Sequence, residues 1–259
     1  MIMIITKLQG GLGNQLFQWA FGKAISLLIN SDLFLDISFY DSAPNRSFEL
    51  EKIIKDKINI IEHYDKSEFI TINDEFRFDN IQYKNFDSKN NYYLEGFWQS
   101  EKYFLDFNKN IRAILDMSPD DYMKYSETIK PNSTSIHVRR TDYISSNGFH
   151  PVQGIDYFNS AVSHIKEYNN LYIFSDDINW CKENLKFENS IFIEGFSNID
   201  DLMLMSLCKN NIISNSSFSW WAAWLNKHIT KKVIAPKKWF GDHVDLNESD
   251  IIPKEWIKI

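Results

Sequence analysis

The chain has 259 residues, 44 % hydrophobic and 24 % charged, with a net charge of −7 from 35 acids and 28 bases. That length allows one large domain or two small ones, and the balance excludes disorder, collagen and coiled coil. The acidic surplus argues against a general nucleic-acid binder, although one cluster of bases can still hold a phosphate.

In chain order, residues 1–8 (MIMIITKL) are a continuous apolar run with β-branched residues, the pattern of a buried strand. Gly10-Gly11-Leu12-Gly13-Asn14 is a glycine turn, and residues 14–29 are apolar on nearly every face, which predicts a buried helix. Residues 32–40 read as a second strand, completing the strand–loop–helix–strand opening of a doubly wound sheet. Residues 47–53, 57–64 and 91–97 read as short strands or irregular pieces. Ser100 is placed to cap a helix over 101–115 that buries Phe104, Ile111 and Leu115.

Turn residues at 118–121 and 131–133 flank a short polar helix and mark a boundary. Strands are then expected at 133–138, 170–177, 190–195, 210–215 and 231–236. Helices are expected at 154–168, 180–185, 199–208 behind Asn198, and 217–226 behind Ser216. The architecture expected is α/β: two Rossmann-like, doubly wound domains facing a cleft, over 1–120 and 130–245, with a tail at 246–259. The chain is short for two full halves, so the N-terminal one is expected to be reduced. Cys181 and Cys208 fit neither a metal site nor a disulfide framework. The apolar start is too short for a signal peptide, and no run approaches the ~20 residues that cross a bilayer. A cytoplasmic chain without a transmembrane segment is expected.

Ligands of parallel sheets sit beyond the carboxyl ends of strands, so polar residues there are the candidates. Gly11, Gly13, Asn14 and Gln15 lie between a strand and a helix, where glycines let a backbone approach an anion. Leu16 replaces the third glycine of a dinucleotide fingerprint, which disfavours NAD and leaves a tight structural turn as the other reading. His137, Arg139 and Arg140 end a strand. Guanidinium matches phosphate bidentately, and His137 shares a strand face with Arg139. The plain alternative is a pair of salt bridges to Asp176 or Asp177. Ser175-Asp176-Asp177 ends the next strand, where a carboxylate such as Asp176 is placed to meet a sugar or base or to orient an arginine, the plain alternative being an N-cap for the following helix. Asp201, Asn215, Ser216 and Ser217 add an acceptor and donors at two further strand ends. No D-x-D, H-E-x-x-H, G-x-S-x-G or P-loop occurs, and the histidines show no ligand spacing, so no metal and no cofactor are expected.

Six segments in one order carry a resemblance: GGLGNQLFQWAFGKAIS near the start, GFWQSEKYF at 96–104, HVRRTDY at 137–143, FSDDINW at 174–180, NIISNSSFSWWAAWLN at 211–226 and VIAPKKWF at 233–240. Together they resemble the α-1,2-fucosyltransferases of glycosyltransferase family 11, and HVRRTD is similar to a segment of α-1,6-fucosyltransferases. The resemblance implies a GT-B fold and inverting, metal-independent transfer of L-fucose from GDP-fucose to the 2-hydroxyl of a galactoside. It implies that Arg139 binds the β-phosphate with His137 beside it and that Arg140 supports the loop. Asp201 would read the guanine edge, Ser217 with Asn215 and Ser216 would hold phosphate or ribose, and the Gly11–Gln15 loop would face the sugar diphosphate. The carboxylate base of the α-1,6 enzymes has no counterpart in residues 143–150. Asp142, His150 and Glu95 are the candidates for the acceptor proton.

The implied partners are GDP-fucose and a galactose-terminated glycan, with no nucleic acid, and attachment at the periphery of a membrane carrying the acceptor is expected. The other readings are a GDP-fucose transferase of different linkage, and a non-catalytic sugar-binding module built on the tryptophans. Of the 40 aromatic rings, those on 17–21 and 220–224 are expected in the core. Phe97, Trp98, Tyr143, Phe218 and Trp239 are expected near the ligand.

Overall fold

A computed structural model describes residues 2–76, 78 and 85–259. The chain forms two compact units: residues 1–116 with 249–251, and residues 117–248 with 252–259.

Unit 1 is a four-stranded, fully parallel sheet in the order β2-β1-β4-β3, formed by β1 (Met3–Lys7), β2 (Asp32–Asp36), β3 (Ile70–Asn73) and β4 (Tyr92–Glu95). Helix α1 (Leu12–Ile29) links β1 to β2 and buries 14 of its 18 residues, which is why it is apolar all round. It lies so close to the sheet that a Cβ on Gly22 would stand 2.2 Å from Thr6 Oγ1. Gly22 therefore supplies the close helix–strand packing that the Leu16 position does not.

The second strand ends at Asp36, not at 40, because Asp36 accepts the Ser38 N–H and starts a 3-10 turn at Ser38–Asp41. Residues 47–53 hold another such turn, Leu50–Lys52, and residues 57–64 form no strand: they meet the sheet through an isolated Leu35–Ile60 bridge, with Asn59 donating to the Leu33 carbonyl and Tyr64 stacked on Tyr93. The helix expected over 101–115 is two 3-10 turns followed by α2 (Asn108–Ile114). Ser100 caps the first of these turns, accepting from Lys102 N. Phe104 then leaves helical geometry at φ −139° to lie against Phe17, with ring centroids 6.3 Å apart. Its burial, and that of Ile111 and Leu115, is as the spacing predicts.

Unit 2 is a six-stranded parallel sheet in the order β10-β9-β8-β5-β6-β7. Its strands are β5 (Thr134–Val138), β6 (Leu171–Ser175), β7 (Ser190–Phe192), β8 (Asn210–Ile212), β9 (Val233–Ala235) and β10 (Ile257–Lys258). Residues 246–259, read as a tail, thus return to pair β10 with β9. The helices are α3 (Pro119–Thr128), α4 (Thr141–Ile144), α5 (Ile155–Ser163), α6 (Ile178–Asn184), α7 (Asn198–Leu207) and α8 (Ser217–Leu225).

Helix α5 stops at Ser163, short of 168, where His164 turns its Nδ1 to the Ser160 carbonyl. The cap of α7 is Ser197, not Asn198: Ser197 and Asp200 exchange side-chain and backbone bonds in a capping box. Trp220, Trp221 and Trp224 pack on one another in the interior. Among the described residues no helix is long and apolar enough to cross a membrane.

Candidate active site

Strand order places the candidate residues. In unit 2 the chain runs outward from β5 to β6 and β7, then returns to β8 on the other side of β5. The crevice beyond the carboxyl ends of β5 and β8 is a topological switch point, where parallel sheets bind ligands. Arg139 follows β5, and Ser214–Ser217 follow β8.

Arg139 offers Nε and Nη2 to the two oxygens of Asp142, at 2.8 and 2.7 Å. Asp176 stands 3.4 Å from the same Nε. Burial alone would weaken the Arg139 charge, but its hydrogen bonds to Asp142 and the nearby charge of Asp176 win and strengthen it. The side of the guanidinium that includes Nη1 makes none of these bonds. Arg140 points elsewhere: its Nε meets Asp177 at 3.3 Å and its guanidinium lies 3.9 Å from the Trp180 ring centroid. Both expected salt bridges exist, and Asp142 is the partner of Arg139. Asp176 also accepts the backbone N–H groups of Arg140 and Thr141, which fixes the first turn of α4. Asp177 caps α6.

His137 is buried beside Arg139. Burial, then the charge of Arg139, pushes it down to about 3, so it is neutral at pH 7. Ser214 Oγ donates to its carbonyl at 2.6 Å, and Phe218 packs on its ring at 5.6 Å. Tyr143 ties the arginine loop to the start of α8 by donating to the Asn215 carbonyl at 2.8 Å. One face of Tyr143 is covered by His150, stacked at 4.6 Å, which in turn lies against Phe149 and Phe240. Burial pushes the His150 pKa down, and its Nδ1 has no partner within the protein. Asn215 spends its amide on the Trp239 carbonyl (2.9 Å) and on Gln153 (3.3 Å), so its side chain holds the loop. Ser216 is the N-cap of α8 and Ser217 its first residue, and no side-chain cap bond closes that end.

Asp201, in the first turn of α7, is a second unsatisfied group of this edge, in addition to His150. Its Oδ1 is buried without a partner within the protein. Burial, reinforced by Asp200, pushes its pKa up to about 7. Neighbouring Asp200 is held low instead, because bonds from Ser197, Tyr125 and Lys124 overcome its burial. Adjacent carboxylates thus sit in opposite environments.

Unit 1 repeats the logic. Its switch point lies between β1 and β4. After β1, Gly10 adopts φ +80° and Gly11 is the N-cap of α1 with no side-chain bond. Gln15 is fully buried. It donates to the Gly10 and Ser47 carbonyls at 3.2 and 2.8 Å and accepts the Glu49 N–H at 2.9 Å, so it pins the loop. Asn14 accepts from Gln99 of the loop after β4 at 2.9 Å. Gly13 is buried within α1.

Glu95 closes β4 between Lys7 and Lys66, both at 2.7 Å, and those two bonds hold its carboxyl below the usual range. Trp98 and Trp239, expected near the ligand, are in the interior, whereas Phe97 and Phe218 stay half-buried. Arg46 was not singled out from the sequence, yet a Cβ on Gly11 would lie 3.4 Å from its Nη1. Nothing in the spacing of an arginine within a Pro-Asn loop signals that approach.

A family model described as glycosyl transferase family 11 matches residues 2–259. The chain is 36 % identical to an α-1,2-colitosyltransferase of Escherichia coli, over all of this chain and 99 % of that one. It is 30 % identical to the O-antigen biosynthesis glycosyltransferase WbnK of Escherichia coli, over 97 % of this chain and 99 % of that one. Its fold is similar to fucosyltransferase NodZ from Bradyrhizobium, with a TM-score of 0.59, 13 % identity and coverage of 95 % and 99 %. A NodZ α-1,6-fucosyltransferase structure has also been solved after soaking with GDP-fucose. The α/β fold of parallel sheets is the GT-B type of these fucosyltransferases.

Proposed function

The chain belongs to glycosyl transferase family 11 and is a glycosyltransferase, and from that premise we propose that it transfers L-fucose from GDP-fucose to the 2-hydroxyl of a galactoside, with inversion and without a metal. The observation that carries the donor reading is Asp201. A buried carboxylate oxygen without a protein partner suits a ligand edge bearing two N–H donors, as guanine does, because a buried acceptor is otherwise costly to leave unsatisfied.

The remaining roles follow from charge. The acceptor hydroxyl oxygen attacks the anomeric carbon while that carbon's bond to the β-phosphate oxygen breaks; the hydroxyl proton passes to solvent water or to the departing GDP, and negative charge grows on the diphosphate. Arg139, held by Asp142 along one side, turns its other side to that charge. The N-terminus of α8, where Ser216 makes no side-chain cap bond, adds the positive end of a helix. Asp142 acts in this reading by orienting Arg139. His137, neutral and buried, shapes the pocket and carries no proton. In unit 1, Gly11 begins α1 without a side-chain cap bond and lies close to Arg46, an arrangement that suits an anion.

A second donor is favoured by one finding: the relative at 36 % identity is named for colitose. Purified protein is incubated with GDP-fucose or GDP-linked colitose and a β-galactoside, and the product linkage is read by NMR. An α-1,2-fucosylated product that disappears in Arg139→Ala, with the melting temperature retained, is the expected result. Transfer only of colitose reassigns the donor, and unchanged turnover by Arg139→Ala overturns the site.

A further inference from the structure

The loops that enter the second sheet from the amino ends of its strands form the edge opposite Arg139. For the adjacent strands β9, β8, β5 and β6 these loops are residues 226–232, 208–209, 129–133 and 164–170. They hold six lysines (Lys130, Lys166, Lys209, Lys227, Lys231 and Lys232) and one acid, Glu167, in a chain whose net charge is −7. Lys130, Lys209 and Lys232 donate to the Glu127 carbonyl, the Asn132 amide oxygen and the His164 carbonyl, neutral acceptors that leave the positive charge in place.

Some of this charge serves the fold. The helices run back across the sheet, so their carboxyl ends come to this edge, where cations are favoured. Lys231 donates to the Ala223 and Asn226 carbonyls at the end of α8. That role calls for no apolar group in water. Yet Ile229, in the same loop between Lys227 and Lys231, is 101 % exposed. An apolar tip among cations combines the two attractions that hold a peripheral protein on an anionic bilayer.

We propose that this edge docks on an anionic lipid bilayer, with Ile229 entering the headgroup layer and the surrounding lysines facing lipid phosphates. The isoleucine decides for lipid over a soluble polyanion, which would engage the lysines and leave Ile229 in water. Strand β5 spans about 16 Å, so docking leaves the edge with Arg139 clear. The proposal does not depend on which sugar is transferred.

Co-sedimentation of the full chain with vesicles tests it, comparing phosphatidylcholine alone with mixtures containing roughly 30 % phosphatidylglycerol. Partitioning is expected to rise at least roughly tenfold on the anionic vesicles. Lys227→Glu with Lys232→Glu should reverse that gain, and Ile229→Ser should lower binding roughly fivefold. Melting temperature and transfer to a soluble acceptor should be retained in each variant. Failure to prefer anionic vesicles overturns the proposal, as does binding that the lysine pair leaves unchanged. Binding that depends on the lysines but not on Ile229, accompanied by a duplex DNA gel shift, reassigns the edge to a polyanion and overturns it equally.

Discussion

Arg139 and Asp142 form a two-pronged pair, with Nε and Nη2 at 2.8 and 2.7 Å from the two carboxylate oxygens, three residues apart at the carboxyl end of β5. The pair fixes the guanidinium plane and leaves one side of it turned away. Asp142→Asn keeps the shape and removes the charge-assisted bonds. Asp142 is partly exposed, so the discounted loss is about 1.4 kcal/mol, or tenfold in GDP affinity. Calorimetric titration of GDP into both proteins checks this. A base role for Asp142 predicts the opposite split, unchanged GDP affinity with a collapse in kcat.

Asp201 gives a pH dependence of defined sign. Its carboxyl titrates at about 7 without ligand, and donors on a base edge need the carboxylate. GDP affinity should therefore rise as pH increases through 7 and level off above it. In Asp201→Asn that dependence should vanish and affinity should be uniformly weak.

The same shift bears on stability. The folded protein holds a proton on Asp201 that the unfolded chain, near the usual 3.8, has released. This contribution is complete below that value and is lost as pH rises through about 7. His137, lowered to about 3, works in the opposite direction up to its ordinary 6.5. The comparison that isolates Asp201 is thus wild type against Asp201→Asn, whose stability should gain on wild type between pH 5 and 8 in urea titrations.

Gly22 brings α1 onto β1. A methyl group there meets Thr6 Oγ1 at 2.2 Å and Leu33 Cδ1 at 2.8 Å. Gly22→Ala is expected to destabilise by about 1–3 kcal/mol through overpacking, despite its higher helix propensity. Chemical denaturation monitored by tryptophan fluorescence measures it.

Gln15 satisfies Gly10, Ser47 and Glu49 with one buried amide. Gln15→Leu strands the Ser47 carbonyl and the Glu49 N–H, while the Gly10 carbonyl keeps the Tyr40 hydroxyl, and a cost of about 3 kcal/mol follows. If Gln15 instead contacted ligand alone, GDP would lose its stabilising effect while the ligand-free melting temperature stayed constant.

The readable parts of the fold were those in which one local cause dominates. The apolar run of β1, the all-round apolar α1 and the β-α series after residue 133 carry their own periodicity. Strand β3, strand β10 and the broken segment 101–115 do not. β10 is two exposed residues made a strand only by pairing with β9. Phe104 leaves the helix because Phe17 offers a better place to bury it.

By itself, the sequence determined that polar groups cluster after strands, and that Arg139, Asp176, Asp201 and the glycine loop are among them. Tertiary structure alone decided what each is occupied with. Asp142 and Arg139 pair along one side of the guanidinium, whereas Asn215 and Gln15 spend their amides within the protein. Asp201 keeps an oxygen with no partner. The physical reason is that a polar side chain's availability depends on which donors and acceptors the packed chain brings within about 3 Å, and those neighbours are fixed by strand order rather than by sequence distance.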